Sequence, residues 1–254
     1  MAQNIYDDVA FFEGYSRIRR SIHGLEGAPE WPNLRAMLPE MAGLSVLDLG
    51  CGFGAFDRWA HEQGAASVLG VDLSERMLAE ARRRSGDMPI RYERADLEQY
   101  EPAFGAFELV YSTLVLHYLP DLDLFCRRVR AALVDGGHFV FTSEHPLYSA
   151  RTEPEWMMDA AGNRVAAVTD YNREGPRTLD WLDHGVVKYH RTIATVLMTL
   201  KRNGLMLEAI DEWGPTSAQL LENPGLQDSV IRPMFLMIAA RAEAARSQPS
   251  HKAG

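Results

Sequence analysis

The stretch Val46-Leu47-Asp48-Leu49-Gly50-Cys51-Gly52-Phe53-Gly54 decides how this chain folds. The apolar run over residues 44–49 predicts a buried parallel strand, and a helical pattern begins close to Ala55. The glycines between them allow a sharp turn, and they let a ligand approach the backbone more closely than a side chain would permit. Because the free N–H groups at the start of a helix favour polar or anionic groups, this turn predicts a ligand site.

Two kinds of ligand fit such a turn. The pattern Gly50-x-Gly52-x-x-Ala55, with Asp72 at a suitable distance, agrees with the fingerprint of dinucleotide-binding strands. Asp48 favours a different ligand, because a carboxylate two residues before the first glycine would repel a pyrophosphate. The same carboxylate would suit the cationic amino-acid end of S-adenosylmethionine.

The residues around this turn resemble the class I S-adenosylmethionine-dependent methyltransferases. The resemblance rests on the D-x-G-x-G-x-G motif of residues 48–54 and on the section Gly70-Val71-Asp72-Leu73-Ser74-Glu75-Arg76-Met77-Leu78. Residues 113–119 and the section Leu133-Val134-Asp135-Gly136-Gly137 are similar to the type 11 and ubiquinone/menaquinone methyltransferases. The resemblance implies S-adenosylmethionine as methyl donor, S-adenosylhomocysteine as product, and in-line methyl transfer to a small-molecule acceptor. A dinucleotide-dependent oxidoreductase and a non-catalytic cofactor-binding regulator remain the alternatives.

Length, charge and cysteine content restrict the class of protein further. A chain of 254 residues is near the upper size of a single domain, and its net charge of −9 argues against a nucleic-acid partner. The sequence contains neither an apolar run of membrane-spanning length nor a signal-peptide pattern, so no membrane partner is expected. The two cysteines, Cys51 and Cys126, indicate a reducing compartment and hence a cytoplasmic protein.

Alternating strand and helix patterns predict an α/β fold with a Rossmann-like sheet of seven strands and helices on both faces. After the first strand, strands are predicted over residues 67–71, 90–95, 107–112 and 138–142, and helices over residues 56–63, 75–84 and 121–134. A helix over residues 192–202 and strands over residues 205–212 and 234–240 complete the pattern. The sheet is expected to be mostly parallel, with an antiparallel last strand.

The chain is interpreted as a single domain, residues 1–254, with four parts. Residues 1–40 form an N-terminal helical flap, and residues 41–145 form the cofactor-binding half. The α/β alternation stops over residues 146–190, where bulky apolar side chains argue against disorder. This segment is predicted to be an inserted cap over the substrate region, with short strands at residues 164–168 and 186–190. Residues 191–242 supply the C-terminal helix and strands.

Candidate cofactor-binding residues follow from this topology, because ligands of parallel sheets lie beyond the carboxyl ends of the strands. Asp72 is placed to accept both ribose hydroxyls, and the resemblance implies that Asp96 meets the adenine amino group. Tyr15 and Arg19 are four residues apart and would share a helix face, from which the arginine holds the cofactor carboxylate. The full predicted set is Asp48, Gly50, Cys51, Gly52, Gly54, Asp72, Leu73, Met77, Asp96, Leu97, Ser112, Tyr15 and Arg19.

Candidate catalytic residues are histidines that follow predicted strands. Proximity and alignment supply most of the acceleration of a methyl transfer, and a base is needed only for a hydroxyl or protonated-nitrogen acceptor. His145 is the best-placed base, Glu144 is its substitute, and His117 and His190 come next; the alternative for each histidine is a structural role. The predicted substrate-contacting residues are Tyr171, Trp181, His117 and His145. No metal site is predicted, and the protein is expected to be a monomer or homodimer.

Overall fold

The predicted alternation is confirmed in a seven-stranded sheet. A computed structural model describes residues 3–150, 156–181 and 183–244. The strands are β1 (Ser45–Leu49), β2 (Ser67–Asp72), β3 (Arg91–Arg94), β4 (Phe107–Thr113), β5 (Leu133–Glu144), β6 (Trp156–Met158), β7 (Arg164–Ala166), β8 (Gly175–Trp181), β9 (Asp183–His190), β10 (Leu205–Glu212) and β11 (Phe235–Ala242). The α-helices are α1 (Val9–Ser16), α2 (Arg19–His23), α3 (Trp31–Ala36), α4 (Ala55–Glu62), α5 (Glu75–Ser85), α6 (Leu122–Ala132), α7 (Pro146–Ser149), α8 (Ile193–Arg202), α9 (Ser217–Glu222) and α10 (Gln227–Ile231).

The strand order of the main sheet is β10-β11-β5-β4-β1-β2-β3. β1 pairs in parallel with β2 and β4, while β11 runs antiparallel to both of its neighbours, β5 and β10. The antiparallel last strand is therefore confirmed. The chain leaves β1 toward β2 on one side and returns to β4 on the other, so a crevice is expected at the carboxyl ends of β1 and β4.

Helices cover both faces of this sheet, as predicted. Successive side chains of a strand point to opposite faces, so Leu47 and Val46 enter different parts of the core. Leu47 packs in the cluster that contains Phe125 of α6 and Leu200 of α8, whereas Val46 packs with residues of α3 and α4. The central strands are consequently buried from both sides, which accounts for their nearly continuous apolar sequence.

Two element boundaries differ from the prediction. The helix expected over residues 121–134 ends at Ala132, because Leu133 is already extended and begins β5. Gly136 has a φ of +79° and lies inside the strand. Residues 213–231, for which no helix was predicted, contain α9 and α10; α9 begins with a capping box formed by Thr216 and Gln219.

The segment between β5 and α8 forms small antiparallel hairpins separate from the main sheet. The strands predicted at residues 164–168 and 186–190 correspond to β7 and to the end of β9, and each pairs with a strand that was not predicted. The side chain of Gln3 donates to the Gly185 carbonyl and accepts from the Val187 N–H, both at 3.0 Å, which ties β9 to the N-terminal segment. Every helix in the described ranges is too short or too polar to span a bilayer.

The N-terminal segment is helical, but Tyr15 and Arg19 do not share a helix face, so this prediction is wrong. α1 ends at Ser16, Ile18 is extended, and α2 begins only at Arg19. The hydroxyl of Ser16 donates to the Phe12 carbonyl, and the N–H of Arg17 turns back to Gly14. The break between α1 and α2 therefore separates the two side chains.

Candidate active site

A cavity of about 370 Å³ opens at the carboxyl ends of β1, β2 and β4, where the topology predicts a ligand. One part, here called the glycine-loop half, is lined by Gly50, Gly52, Asp72, Leu73, Met77, Asp96 and Leu97. The other part, here called the β9 half, is lined by His117, Tyr118, Leu119, Glu144, Tyr148, Val187, Lys188 and Met234. Tyr6, Tyr15 and Arg20 of the N-terminal segment also line the cavity.

The three glycines of the loop serve different purposes. Gly52 has a φ of +52°, and a side chain at this position would point into open space beside the cavity. Gly50 also lines the cavity, and a Cβ there would lie 2.1 Å from a methyl group of Val115. Gly54 lies away from the cavity, where a Cβ would come within 2.2 Å of the Tyr92 hydroxyl. Only Gly50 and Gly52 are therefore placed to contact a ligand.

Asp72 lies at the predicted position, at the end of β2 and beside the glycine loop. Its Oδ2 accepts from the Gly52 N–H and its Oδ1 from the Ser74 N–H, both at 2.9 Å. Burial raises the pKa of Asp72, and the hydrogen bonds from Ser74 and Gly52 act in the opposite direction. Each carboxylate oxygen can accept more than one hydrogen bond, so Asp72 retains acceptor capacity for a diol.

Asp48 is buried under the loop together with Asp57. It lines a smaller adjoining cavity of about 90 Å³, which it shares with Cys51. Burial and the neighbouring Asp57 carboxylate raise the pKa of Asp48 well above its usual range, and burial raises the pKa of Asp57 to about 7. The raised pKa values favour the protonated forms, so Asp48 presents less negative charge to a ligand than an isolated carboxylate would. Oδ1 of Asp48 and both carboxylate oxygens of Asp57 are buried without a hydrogen-bond partner among the described residues.

Three other predicted cofactor residues behave differently from expectation. The hydroxyl of Ser112 donates to the Leu49 carbonyl at 2.7 Å, and Thr113, Leu114 and Val115 line the cavity in its place. Burial raises the pKa of Cys51 well above its usual value, so the residue is a buried thiol. Arg19 is exposed, and its neighbour Arg20 lines both cavities. The spacing of the sequence could not predict that Arg20 lines the cavities in place of Arg19, because this replacement follows from the break between α1 and α2.

Residues 5–7 close the cavity from the side of the N-terminus. The hydroxyl groups of Tyr6 and Tyr118 lie 3.3 Å apart, and Tyr6 also makes an edge contact with Tyr15. Asp7 accepts hydrogen bonds from the Ser74 hydroxyl and the Arg76 N–H, at the start of α5. This segment therefore extends over both halves of the cavity, and sequence reasoning did not single out Tyr6.

A buried polar cluster marks the β9 half. The Lys188 ammonium donates to Oε1 of Glu144, and the Nε2 atom of His117 lies 4.0 Å from the same oxygen. Burial lowers the pKa of His117 to about 4, so its imidazole is neutral at physiological pH. His117 was predicted as a site residue and Glu144 as a substitute base, whereas Lys188 was missed. A lysine is rarely buried, and nothing in the local pattern marks this one as an exception.

The structure places the other predicted catalytic histidines away from the cavity. His145 caps α7: its Nδ1 accepts from the Leu147 N–H at 3.0 Å, and its Nε2 lies 2.7 Å from Glu212. His190 is buried between the Ser149 hydroxyl, 2.9 Å from its Nδ1, and the Tyr171 carbonyl, 2.8 Å from its Nε2. Since both ring nitrogens are engaged in each case, these two histidines are structural here.

The structure describes only one of the two aromatic side chains that were predicted to contact the substrate. The Tyr171 hydroxyl accepts a long hydrogen bond, 3.4 Å, from the Ile193 N–H at the start of α8, so Tyr171 packs outside the cavity. The side chain of Trp181 lies outside the described residues. Within the described ranges, no group of three or more His, Cys, Asp or Glu side chains is arranged to hold a metal ion.

Comparisons with known proteins agree with the fold and with this site. A methyltransferase-domain family model matches residues 47–141. The crystal structure of an S-adenosylmethionine-dependent methyltransferase from Mesorhizobium loti is 53% identical and covers 86% of this chain and 100% of its own, with a TM-score of 0.82. A putative methyltransferase of the same kind from Listeria monocytogenes is 40% identical over 87% of this chain and 100% of its own, with a TM-score of 0.79.

An uncharacterised protein of Haemophilus influenzae is 30% identical over 94% of this chain and 96% of its own length. These similarities, the sheet topology and the residues of the glycine-loop half all indicate an enzyme that binds a methyl donor. The chain belongs to the class I S-adenosylmethionine-dependent methyltransferases, and S-adenosylmethionine is its cofactor. A dinucleotide-dependent oxidoreductase is not favoured, because these relatives and the antiparallel last strand are those of methyltransferases.

Proposed function

We propose that this methyltransferase transfers the methyl group of S-adenosylmethionine to a small-molecule acceptor bound in the β9 half of the cavity. The observation that carries the proposal is the continuity of the cavity. A half with the residues expected for the methyl donor opens directly into a second half with aromatic, apolar and buried charged walls. Methyl transfer needs such an arrangement, because donor and acceptor must be held in line and in contact.

We propose one orientation for the donor in the glycine-loop half. Asp72 would accept the ribose hydroxyls, and Asp96 and Leu97 would border the adenine. The methionine end would then lie along Gly50 and Gly52, with its carboxylate toward Arg20, whose planar guanidinium suits bidentate recognition. The open space in front of Gly52 supports this placement, because the donor needs close access to the backbone there.

The β9 half suits a small molecule better than a polymer. Val187 and Lys188 of β9 form one wall, and we interpret residues 146–190 as the cap over the acceptor. The net charge of −9 is unsuited to a nucleic-acid acceptor. Both cysteines are buried free thiols, which supports a cytoplasmic location. A monomer or homodimer stays a prediction.

Relatives with a named acceptor do not identify the acceptor of this chain. A trans-aconitate 2-methyltransferase of Variovorax paradoxus is 39% identical but matches 41% of this chain. A malonyl-[acyl-carrier protein] O-methyltransferase of Legionella pneumophila matches 52%, and a phosphoethanolamine N-methyltransferase of Arabidopsis thaliana matches 48%. Each likeness covers only about half of the chain, so none of these acceptors is carried over.

Two measurements test the proposal. Calorimetry with S-adenosylhomocysteine should show binding that Asp72→Asn weakens at least about tenfold, since a charge-assisted contact is lost. The matched control is Asp121→Asn: like Asp72, Asp121 is a carboxylate that accepts a backbone N–H group, but it lies outside the cavity. Transfer of labelled methyl groups from S-adenosylmethionine should then be followed in a metabolite extract separated by size.

Label is expected in the small-molecule fraction. Label confined to protein or nucleic acid would refute a small-molecule acceptor, and unchanged affinity in Asp72→Asn would refute the ribose assignment.

A further inference from the structure

We propose that Glu144 takes the proton of the methyl acceptor, and that the acceptor is therefore an amine, hydroxyl or similar nucleophile that carries an N–H or O–H group. This inference rests on the proposed function, because it requires that the acceptor bind in the β9 half. It assigns a chemical role to Glu144 and a chemical class to the acceptor.

The first support is the geometry of the Glu144 carboxylate. Glu144 is the last residue of β5, and its side chain is only 10% exposed. Oε1 accepts from the ammonium of Lys188. Oε2 is buried and has no hydrogen-bond partner among the described residues. Because burying an unsatisfied carboxylate oxygen is costly, a ligand that donates a hydrogen bond to Oε2 would remove that cost.

The second support is the charge around this carboxylate. The ammonium of Lys188 is the cation paired with the Glu144 carboxylate. The cations among the described lining residues, Arg20 and Lys188, are both paired with carboxylates, Glu30 and Glu144. In the proposed placement of the donor, Arg20 also faces the donor carboxylate, and Lys188 is paired with Glu144. A carboxylate acceptor would therefore approach Glu144 without a further cation to balance it, whereas an amine or hydroxyl would be attracted.

The third support is that His117 is unsuited to the same task. Its Nδ1 accepts from the backbone N–H of Glu144 at 3.4 Å, so in the neutral ring the proton belongs on Nε2. Burial lowers the pKa of His117 to about 4, and the nearby Lys188 acts in the same direction. The titratable groups that surround Glu144 are His117, Tyr118, Tyr148 and Lys188. Of these groups, Glu144 is the one with a buried side-chain oxygen that lacks a hydrogen-bond partner among the described residues.

The proposed methyl transfer forms one bond to the methyl carbon and breaks one. The acceptor lone pair attacks the sulfonium methyl carbon, and a bond from nitrogen or oxygen to carbon forms while the carbon–sulfur bond breaks. The electron pair of that broken bond remains on sulfur, which leaves as the neutral thioether of S-adenosylhomocysteine. The acceptor proton passes to Oε2 of Glu144 and afterwards to water. Lys188 is a positioning residue, because it acts through Glu144.

A binding experiment tests the acceptor class without knowledge of the natural acceptor. The probes are benzylammonium, benzyl alcohol and benzoate, which share one aromatic body, measured by saturation-transfer NMR with S-adenosylhomocysteine present. Benzylammonium and benzyl alcohol should bind, and benzoate should bind at least about tenfold more weakly. Glu144→Gln should weaken benzylammonium by about tenfold or more.

The matched control variant is Glu212→Gln, a carboxylate beside His145 and outside the cavity, which should leave all three probes unchanged. Benzoate binding as tightly as benzylammonium, or binding of none of the three, would overturn the assigned acceptor class. Equal affinity of benzylammonium for wild type and Glu144→Gln would overturn the role of Glu144.

A turnover experiment tests the proton transfer itself. In a metabolite extract with labelled S-adenosylmethionine, Glu144→Gln should transfer methyl groups roughly 100-fold more slowly than wild type, with S-adenosylhomocysteine affinity within about twofold. The deficit should narrow as pH rises, because an acceptor ionised by the solvent needs no base. A purely structural role of Glu144 would leave the deficit independent of pH.

Turnover by Glu144→Gln at the wild-type rate would refute the proton-transfer role. If wild type itself labels no small molecule, the proposed function fails, and the probe preference still reports separately on Glu144.

Discussion

The two halves of the cavity satisfy their polar groups in different ways. In the glycine-loop half, both oxygens of Asp72 already accept backbone N–H groups. In the β9 half, Oε2 of Glu144 is buried without a partner among the described residues. The difference indicates that the first half is preformed for one invariable ligand, whereas the second is completed by whichever molecule is methylated.

The largest expected effect tests whether the glycine-loop half depends on backbone access. Gly52→Val should weaken S-adenosylhomocysteine roughly 100-fold or more, because a branched side chain would fill the ligand space and strain a left-handed residue. Gly86→Val is the matched control: Gly86 has a φ of +53°, also faces open space, and lies at the end of α5 away from the cavity. Calorimetry should show unchanged affinity for the control. Equal losses in both variants would mean that strain, and not access, limits binding.

The next effect concerns the β9 half and its response to acid. In the folded chain the pKa of His117 is about 4, and the unfolded value is near 6.5, so the unfolded state binds more protons between these pH values. The fold therefore loses stability as pH falls through this window, by roughly 2 kcal/mol from His117 alone at pH 5. His117→Gln removes this contribution. The wild-type advantage in free energy of unfolding should shrink by about that amount between pH 7.5 and 5.

Urea unfolding of both proteins at the two pH values provides the measurement. The buried pair Asp48–Asp57 changes the free energy of unfolding in the opposite direction. Because burial raises the pKa of Asp57 to about 7, acid favours the folded state at this pair. The contribution of this pair is the same in wild type and in His117→Gln, so it cancels when their free energies of unfolding are subtracted. A difference that does not change with pH would show that His117 is not desolvated in solution.

The smallest effect compares neighbouring arginines. Arg20→Lys should weaken S-adenosylhomocysteine roughly fivefold to tenfold, because lysine keeps the charge near buried Glu30 but loses the planar guanidinium. Arg19→Lys, on an exposed neighbour, should change the affinity less than about twofold. Calorimetry on the pair decides whether the N-terminal segment contributes to the glycine-loop half. Equal affinities would exclude Arg20 from the site.

Much of the glycine-loop half was predictable, and the reason is geometric. The strands there are parallel, so residues that follow β1, β2 and β3 reach one edge of the sheet regardless of how helices pack. Asp72, Leu73, Met77, Asp96 and Leu97 were all predicted on this basis, and all line the cavity. Among the predictions for this half that were wrong, Ser112 and Gly54 are residues whose neighbours in space, Leu49 and Tyr92, determine their roles.

The β9 half was less predictable because distant segments assemble it. Glu144 ends β5, Lys188 lies in a hairpin, and Tyr6 comes from the N-terminal segment. No spacing rule connects these positions, since their proximity depends on how the hairpin and the segment dock. His145 was predicted as a site residue because it directly follows the end of β5. Its side chain instead caps α7, which its position in the sequence does not indicate.

The hydrogen bonds of the N-terminal segment also bear on how fast products leave. Asp7 holds this segment against α5, and Gln3 holds it against β9, so the part of the segment that lines the cavity is fixed on both sides. We expect both products to leave past this segment, so that several hydrogen bonds must break together, which is slower than the exchange of a loosely tethered loop. We therefore expect the catalytic cycle to be limited by this opening step, with the first round of product formed in a burst.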